Sequence, residues 1–221
     1  MLHKTKGVVF RFTPYGESSI IVNIFTASFG LQSYIVNGVR AKAGKNKMAL
    51  YQPLTLLDLV VYHKENASIL RIKEASCAYA FQHLQSDPVK STIGLFVNEI
   101  LNRTVKEQSH ADELCNFVFE SLVTLDKLDH PENFHLQFLI LMTKFLGFGP
   151  FDKGELAAWQ LSEDENLVLD ELLVASEYSH RVKMKNEQRR NLLDAILRFY
   201  GNHVDGMGSI KSVPVLREIL S

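Results

Sequence analysis

The 221-residue sequence predicts an α+β chain, β first and then all-α: a small closed barrel followed by a helical bundle. Three observations predict it. Over residues 1–80, short apolar and β-branched runs alternate with Gly, Pro and Asn. From residue 86 the apolar period becomes helical. The charge changes sign with the pattern. Residues 1–80 hold ten Lys and Arg against four Asp and Glu, a net +6; residues 81–178 hold six against seventeen, −11; residues 179–221 hold eight against four, +4. The expected domains are therefore 1–80 and 81–221, with an irregular segment around 148–162.

Five strand-like runs build the first part. They are Gly7 to Phe12, closed by the turn Thr13-Pro14-Tyr15-Gly16; Ser19 to Thr26; Leu31 to Val36, ending at Asn37-Gly38; Leu54 to Tyr62; and Ala67 to Ala75. The last alternates, with Ile69, Arg71 and Lys73 on one face and Leu70 and Ile72 on the other, which needs one buried and one wet side. Five short antiparallel strands avoid open edges by closing. A five-stranded oligonucleotide/oligosaccharide-binding (OB) barrel fits the count and lengths, and an SH3-like barrel fits nearly as well.

Helices follow in order. Asp87 caps one with Pro88 at its first position, and Val89, Ile93, Phe96, Val97, Ile100, Leu101 and Val105 form its apolar stripe opposite Lys90, Asn98, Glu99 and Arg103. Ser109 to Asp112 reads as a capped start for the stripe Leu114 to Leu125. Pro131 opens a third helix that Gly147-Phe148-Gly149-Pro150 stops. Ser162-Glu163-Asp164-Glu165 reads as a capping box. A later helix runs to Gly201, and Ser212 with Pro214 opens a short last one.

Composition narrows the function classes. With 46% apolar and 22% charged residues the chain is an ordinary globular one, and no apolar run approaches the roughly 20 residues of a membrane helix. The N-terminus opens straight into a strand pattern, which predicts no signal peptide. Two cysteines, Cys77 and Cys115, read as buried, reduced thiols of a cytoplasmic protein. No GxGxxG, Walker, GxSxG, HExxH or CxxC motif occurs. The expectation is therefore a non-enzyme with no cofactor and no metal. Asp58, which interrupts an apolar run, is expected to point outward.

The basic residues suggest a partner. Arg40, Lys42, Lys45 and Lys47 fall in an acid-free stretch with two glycines, a loop able to track phosphates; a merely solvated loop is the competing reading. Lys6, Arg11, Arg71 and Lys73 add to that surface, with Tyr15, Phe29 and Tyr34 as stacking candidates against a core role. The tail residues Arg181, Lys183, Lys185, Arg189 and Arg190 form a second basic group, for DNA or a protein partner.

These residues carry a resemblance. Lys6 to Phe10, Tyr15-Gly16-Glu17-Ser18 through Phe25-Thr26, Gly30, and Gly38-Val39-Arg40, with Gln52-Pro53-Leu54 and the later stretches Phe138 to Gly147 and Arg190 to Ser212, resemble the bacterial RecO recombination mediator family across the chain. The resemblance implies an OB barrel and a helical domain in a nucleoid-associated cytoplasmic protein of DNA repair. It implies binding of single- and double-stranded DNA and annealing of complementary strands. It also implies RecR, the acidic tail of single-stranded DNA-binding protein and, indirectly, RecA as partners. Many members hold zinc with cysteines after the Gly-x-x-Pro stop; residues 151–159 here contain no cysteine, so zinc is not expected and packing around Trp159 is the expected substitute. The competing function is a protein-interaction adaptor with incidental DNA affinity; an uncharacterised hydrolase is a distant third.

Overall fold

Why the first part closes is visible in its register. The computed structural model describes residues 1–41, 45–65, 67–106, 111–149, 159–175, 178 and 182–221, without the side chains of 45 and 46. The chain divides into two compact units, one of Met1–Phe81 with Val105–Val123 and one of Gln82–Thr104 with Thr124–Ser221.

In the first unit, β1 (Leu2–Tyr15), β2 (Ser19–Thr26), β3 (Gly30–Val36), β4 (Leu56–Tyr62) and β5 (Leu70–Tyr79) close in the order β1-β2-β3-β5-β4. β1 is long enough to pair β4 with its first half and β2 with its second. A bulge between Val9 and Arg11 bends it from one partner to the other. Antiparallel ladders form every contact except one. The β3–β5 seam is parallel and only two pairs long, Tyr34↔Leu70 and Ile35↔Arg71.

Alternation fills the barrel. Val9, Ile20, Val22, Ile24, Tyr34, Leu57, Leu59 and Val61 are buried in one core. Gly7 is required by close approach, since a Cβ there would lie 2.7 Å from Ile24 Cγ2. A helical turn Lys45–Met48 and a 3-10 turn Ala49–Tyr51 lie between β3 and β4, with Met48, Leu50 and Tyr51 packed against the core. Strand bounds differ from expectation in several places. β1 starts at Leu2 rather than at Gly7, because Leu2 to Lys6 pair with β4, and β3 starts one residue early, at Gly30. β1 runs on to Tyr15, because Thr13, Pro14 and Tyr15 find partners in β2. Leu54 sits in a turn at φ 66° rather than in β4. β5 starts at Leu70 and extends past Ala75 because Leu56 and Leu57 pair with Tyr79 and Cys77. Cys77 is exposed, contrary to the reading of two buried thiols; Cys115 is buried, its Sγ 3.6 Å from the Phe25 carbonyl oxygen and its thiol pushed up to about 12 by burial.

Among the described residues six helices follow: α1 (Pro88–Thr104), α2 (Ala111–Lys127), α3 (Phe134–Leu146), α4 (Glu163–Val174), α5 (Asn186–His203) and α6 (Val213–Ile219). In the second unit α3 packs against α1, α4 and α5. It is buried almost all round, including His135, Gln137 and Thr143, as a central helix must be. The Asp87 cap forms, accepting from the Val89 and Lys90 amides at 2.8 and 3.0 Å. The Ser162–Glu165 capping box forms, and Gly147 ends α3 at φ 83°. α3 begins at Phe134 rather than at Pro131, and α5 runs through Gly201 to His203. The start read at Ser109 and His110 lies outside the described residues, as does most of the segment after Gly149. Phe148 and Trp159 flank that segment, and both contact Phe199, with centroids 5.7 and 5.5 Å away.

Two polar residues placed on wet faces are structural. Lys90 is buried and donates to the Asp126 carbonyl oxygen at 2.8 Å. Glu99 accepts from the backbone of Lys211 and Ser212 at 2.9 Å each, tying α1 to the start of α6. The strongest such anchor is Asp126. Its buried carboxylate accepts from the amides of Gln82, His83 and Leu84 at 3.0, 2.8 and 2.7 Å. Asp126→Ala strands those donors and is expected to cost about 3 kcal/mol in urea unfolding, with Asp126→Asn costing less; a loss below about 1 kcal/mol for the alanine contradicts this anchor.

Candidate nucleic-acid interface

The two-pair seam decides which side chains share the barrel's outer surface. Across β1, β2 and β3, Arg11 is opposite Asn23, and Asn23 is opposite Ser33. Two residues along, Thr13, Ile21 and Ile35 line up, and the seam adds Arg71 beside Ile35. β4 then adds Tyr62 beside Arg71. Facing residues point to the same side of a sheet, and the alternate residues Ile20, Val22, Ile24 and Tyr34 are buried. The result is an outer belt with Arg11 and Arg71 exposed at either side of a half-buried strip. Asn23 donates from Nδ2 to Ser33 Oγ at 3.2 Å inside it. No acidic side chain is among these belt residues.

Arg40 joins this belt at its β1–β2 end. Its Nη1 donates to the Gly16 carbonyl oxygen at 3.1 Å, and its amide to that of Ser18 at 3.0 Å, so the exposed guanidinium is held at the hairpin turn. Lys47 is exposed on the helical turn. The Lys45 backbone belongs to that turn, and Lys42 lies outside the described residues. Lys73 falls where the β4–β5 register shifts and pairs with Glu74 at 3.4 Å, an exposed contact worth little.

Lys6 stands apart. It faces Asp58 across β1–β4, and its Nζ lies 4.9 Å over the Phe119 ring of α2. Lys4, Lys6, Asp58, Glu74 and Ser76 line a groove of about 490 Å³ whose charges are of both signs, unlike the belt. Asp58 is exposed there, as its place in the pattern predicts.

The aromatic candidates separate too. Tyr34 is wholly buried, and burial holds its phenol up at about 12, so it is core. Phe29 is stacked on His63 at 3.8 Å. Tyr15 is half-exposed at the end of β1. Sequence reasoning missed Tyr62, which is 47% exposed and adjoins Arg71. Its parity is the signal: Leu59 and Val61 point inward, so Asp58, Val60 and Tyr62 point out.

The basic tail is less uniform than its spacing suggests. Lys183 and Lys185 are exposed, and Arg181 lies outside the described residues. Arg189 is committed inward: Nε donates to Asn133 Oδ1 at 3.1 Å and Nη1 to Asn186 Oδ1 at 2.7 Å. Arg190 is exposed, reaching the Arg217 carbonyl oxygen at 3.5 Å. Below them His135 is 1% exposed; burial, reinforced by the Arg189 charge, lowers its pKa to about 3.

A closed five-stranded barrel in this strand order, with an exposed belt of arginines and an open aromatic ring, has the architecture of OB-fold proteins that bind nucleic acid. The family model for the recombination protein O N-terminal domain matches residues 1–81, and that for its C-terminal domain matches 85–151. The chain is 34% identical to the DNA repair protein RecO of Flavobacterium psychrophilum, over 99% of each chain. It is 33% identical to that of Flavobacterium johnsoniae and 31% identical to that of Bacteroides fragilis, again over 99% of each chain. The chain therefore belongs to the RecO family.

The cysteines do not fit a structural zinc site. The two present stand on β5 and α2, and neither lies in the segment after Gly149. Among the described residues no three His, Cys, Asp or Glu side chains group as metal ligands, and no helix is long and apolar enough to cross a membrane.

His135 yields a pH prediction. Its folded pKa lies below the unfolded value of about 6.5, so the unfolded chain binds the proton more tightly between pH 6.5 and about 3. Stability is full above pH 6.5 and falls as the pH drops through that window. Between pH 7 and 5 the His135 contribution to the loss is about 2 kcal/mol. His135→Phe should flatten the urea-midpoint profile by that amount; an unchanged profile contradicts the assignment.

Proposed function

We propose that this chain is a non-enzymatic recombination mediator in DNA repair. It binds single- and double-stranded DNA through its phosphates, without reading sequence, and anneals complementary strands. The observation that carries this reading is the belt, in which register sets Arg11, Arg71 and the turn-held Arg40 around a strip with no acidic side chain. Arginines of that kind neutralise phosphates, and Tyr62 offers a face on which one base can lie. Annealing needs no bond chemistry; neutralised strands approach and pair.

Family membership supports the partners of this reading. They are RecR, the acidic tail of single-stranded DNA-binding protein, and RecA loaded in its place. The exposed tail residues Lys183, Lys185 and Arg190 are suited to an acidic tail or to further phosphates.

One observation favours the adaptor reading. The solvent face of α4 carries Leu167 and Val174, 64% and 84% exposed, among Glu163, Asp164, Asp170 and Glu171. Such a face suits a cationic, partly apolar protein surface. Tight protein binding with weak, salt-insensitive DNA binding would favour that reading.

If four to six phosphates of a single strand are contacted, log K against log salt slopes at about −3 to −4. Arg11→Ala with Arg71→Ala should weaken binding and make the slope shallower by about 1.4. A wild-type slope near zero contradicts backbone contact. The annealing assay uses complementary strands coated with single-stranded DNA-binding protein and a fluorescent pairing reporter. Added chain should speed pairing, and the double variant should not.

A further inference from the structure

The helical unit holds a second cationic site, separate from the belt and independent of it. Arg189 and Arg190 of α5, Arg217 of α6 and His135 of α3 line a small pocket, with Leu193 and Leu216 as its apolar walls. The space at its floor is about 10 Å³, enough for one water-sized atom and no more.

Two features of this pocket are unsatisfied. His135 is 99% buried, and among the described residues its ring nitrogens make no well-formed hydrogen bond, the Glu132 backbone being the group near enough to interact. Among the described residues Arg217 Nε, also buried, has no hydrogen-bond partner. A buried polar atom without a partner costs free energy, so three at one small pocket are unusual in a folded protein. The charges there are also unbalanced. Three arginines line the pocket, whereas among the described residues the carboxylates acting on them are Asp194, paired with Arg217, and Glu132, near Arg189. Arg189 is engaged by Asn133, Asn186 and the Leu220 carbonyl oxygen, all neutral. Among the described residues the Arg190 guanidinium makes only the 3.5 Å contact to the Arg217 carbonyl oxygen.

We infer that this pocket binds a phosphate group, one oxygen of which enters and accepts from Arg217 Nε and a ring nitrogen of His135 while Arg190 covers the mouth. An oxygen acceptor is the group that fits, because arginine has only donors and the histidine ring supplies one in its neutral form. Free inorganic phosphate and a phosphate of the DNA backbone share this chemistry.

The test is the His135 ring resonance of the full chain at pH 7, identified by its loss in His135→Phe. Inorganic phosphate is added against sodium chloride at matched ionic strength. The expected result is a saturable shift with phosphate and none with chloride, with Arg190→Ala weakening the response about tenfold. A second arm adds a short single-stranded oligonucleotide. A shift there too assigns the site to backbone phosphate; a shift with inorganic phosphate alone assigns it to the free anion. The Arg11→Ala, Arg71→Ala variant keeps the inorganic-phosphate shift, which separates failure of this site from failure of the belt. No ring shift in either arm, or an undiminished one in Arg190→Ala, overturns the inference.

Discussion

The barrel rests on the short parallel seam between β3 and β5. Four strand contacts are extended antiparallel ladders, whereas this one has two registered pairs. Without it the sheet would have two open edges, which an exposed, apolar-backed sheet cannot leave bare without inviting other strands. The seam also fixes the shear. Following partners from Leu2 through Tyr62, Arg71, Ile35 and Ile21 leads back to β1 at Thr13 rather than at Leu2. That offset brings Arg71 beside Ile35. A slip of one residue would turn Arg71 inward and Leu70 outward. The position of the charge and the closure of the core are therefore one constraint.

The same closure gives the barrel two outer surfaces of different character. The belt over β1, β2, β3 and β5 has arginines and no acid. The groove over β1, β4 and β5 mixes Lys4 and Lys6 with Asp58 and Glu74. A polyanion gains from the first, whereas on the second the carboxylates oppose it at short range. The net +6 of residues 1–80 is thus not spread evenly, and the basic residues cannot be counted as one patch. In the helical unit cationic residues are divided again. Arg189 and Arg217 serve the packing, while Lys183 and Lys185 remain exposed.

Much of this was legible in the residues. Period-2 alternation and turn chemistry gave the five strands, and capping signals at Asp87 and Ser162 gave helix starts that the structure shares. Arg11 and Arg71 were readable because they interrupt apolar runs. What could not be read is long-range. The seam joins strands with β4 and its long connection between them, and nothing in Ile35 or Arg71 announces a partner 36 residues away. Lys6 looked equivalent to Arg11 until register placed it against Asp58. Lys90 looked solvated because a long cation on a helix usually is, and Arg189 looked free for a partner; Lys90 is buried on the Asp126 carbonyl of α2, and Arg189 is half-buried on Asn133, which precedes α3. Tyr62 was legible by parity alone.

The most direct measurement of the central claim is an amide chemical-shift map of the full chain titrated with a short single strand of DNA. The belt account predicts that the largest changes fall on Arg11, Asn23, Ser33, Ile35 and Arg71, with little at Lys4, Asp58 and Glu74. Changes concentrated on the Lys4, Asp58 and Glu74 groove, with the belt amides unmoved, would contradict it.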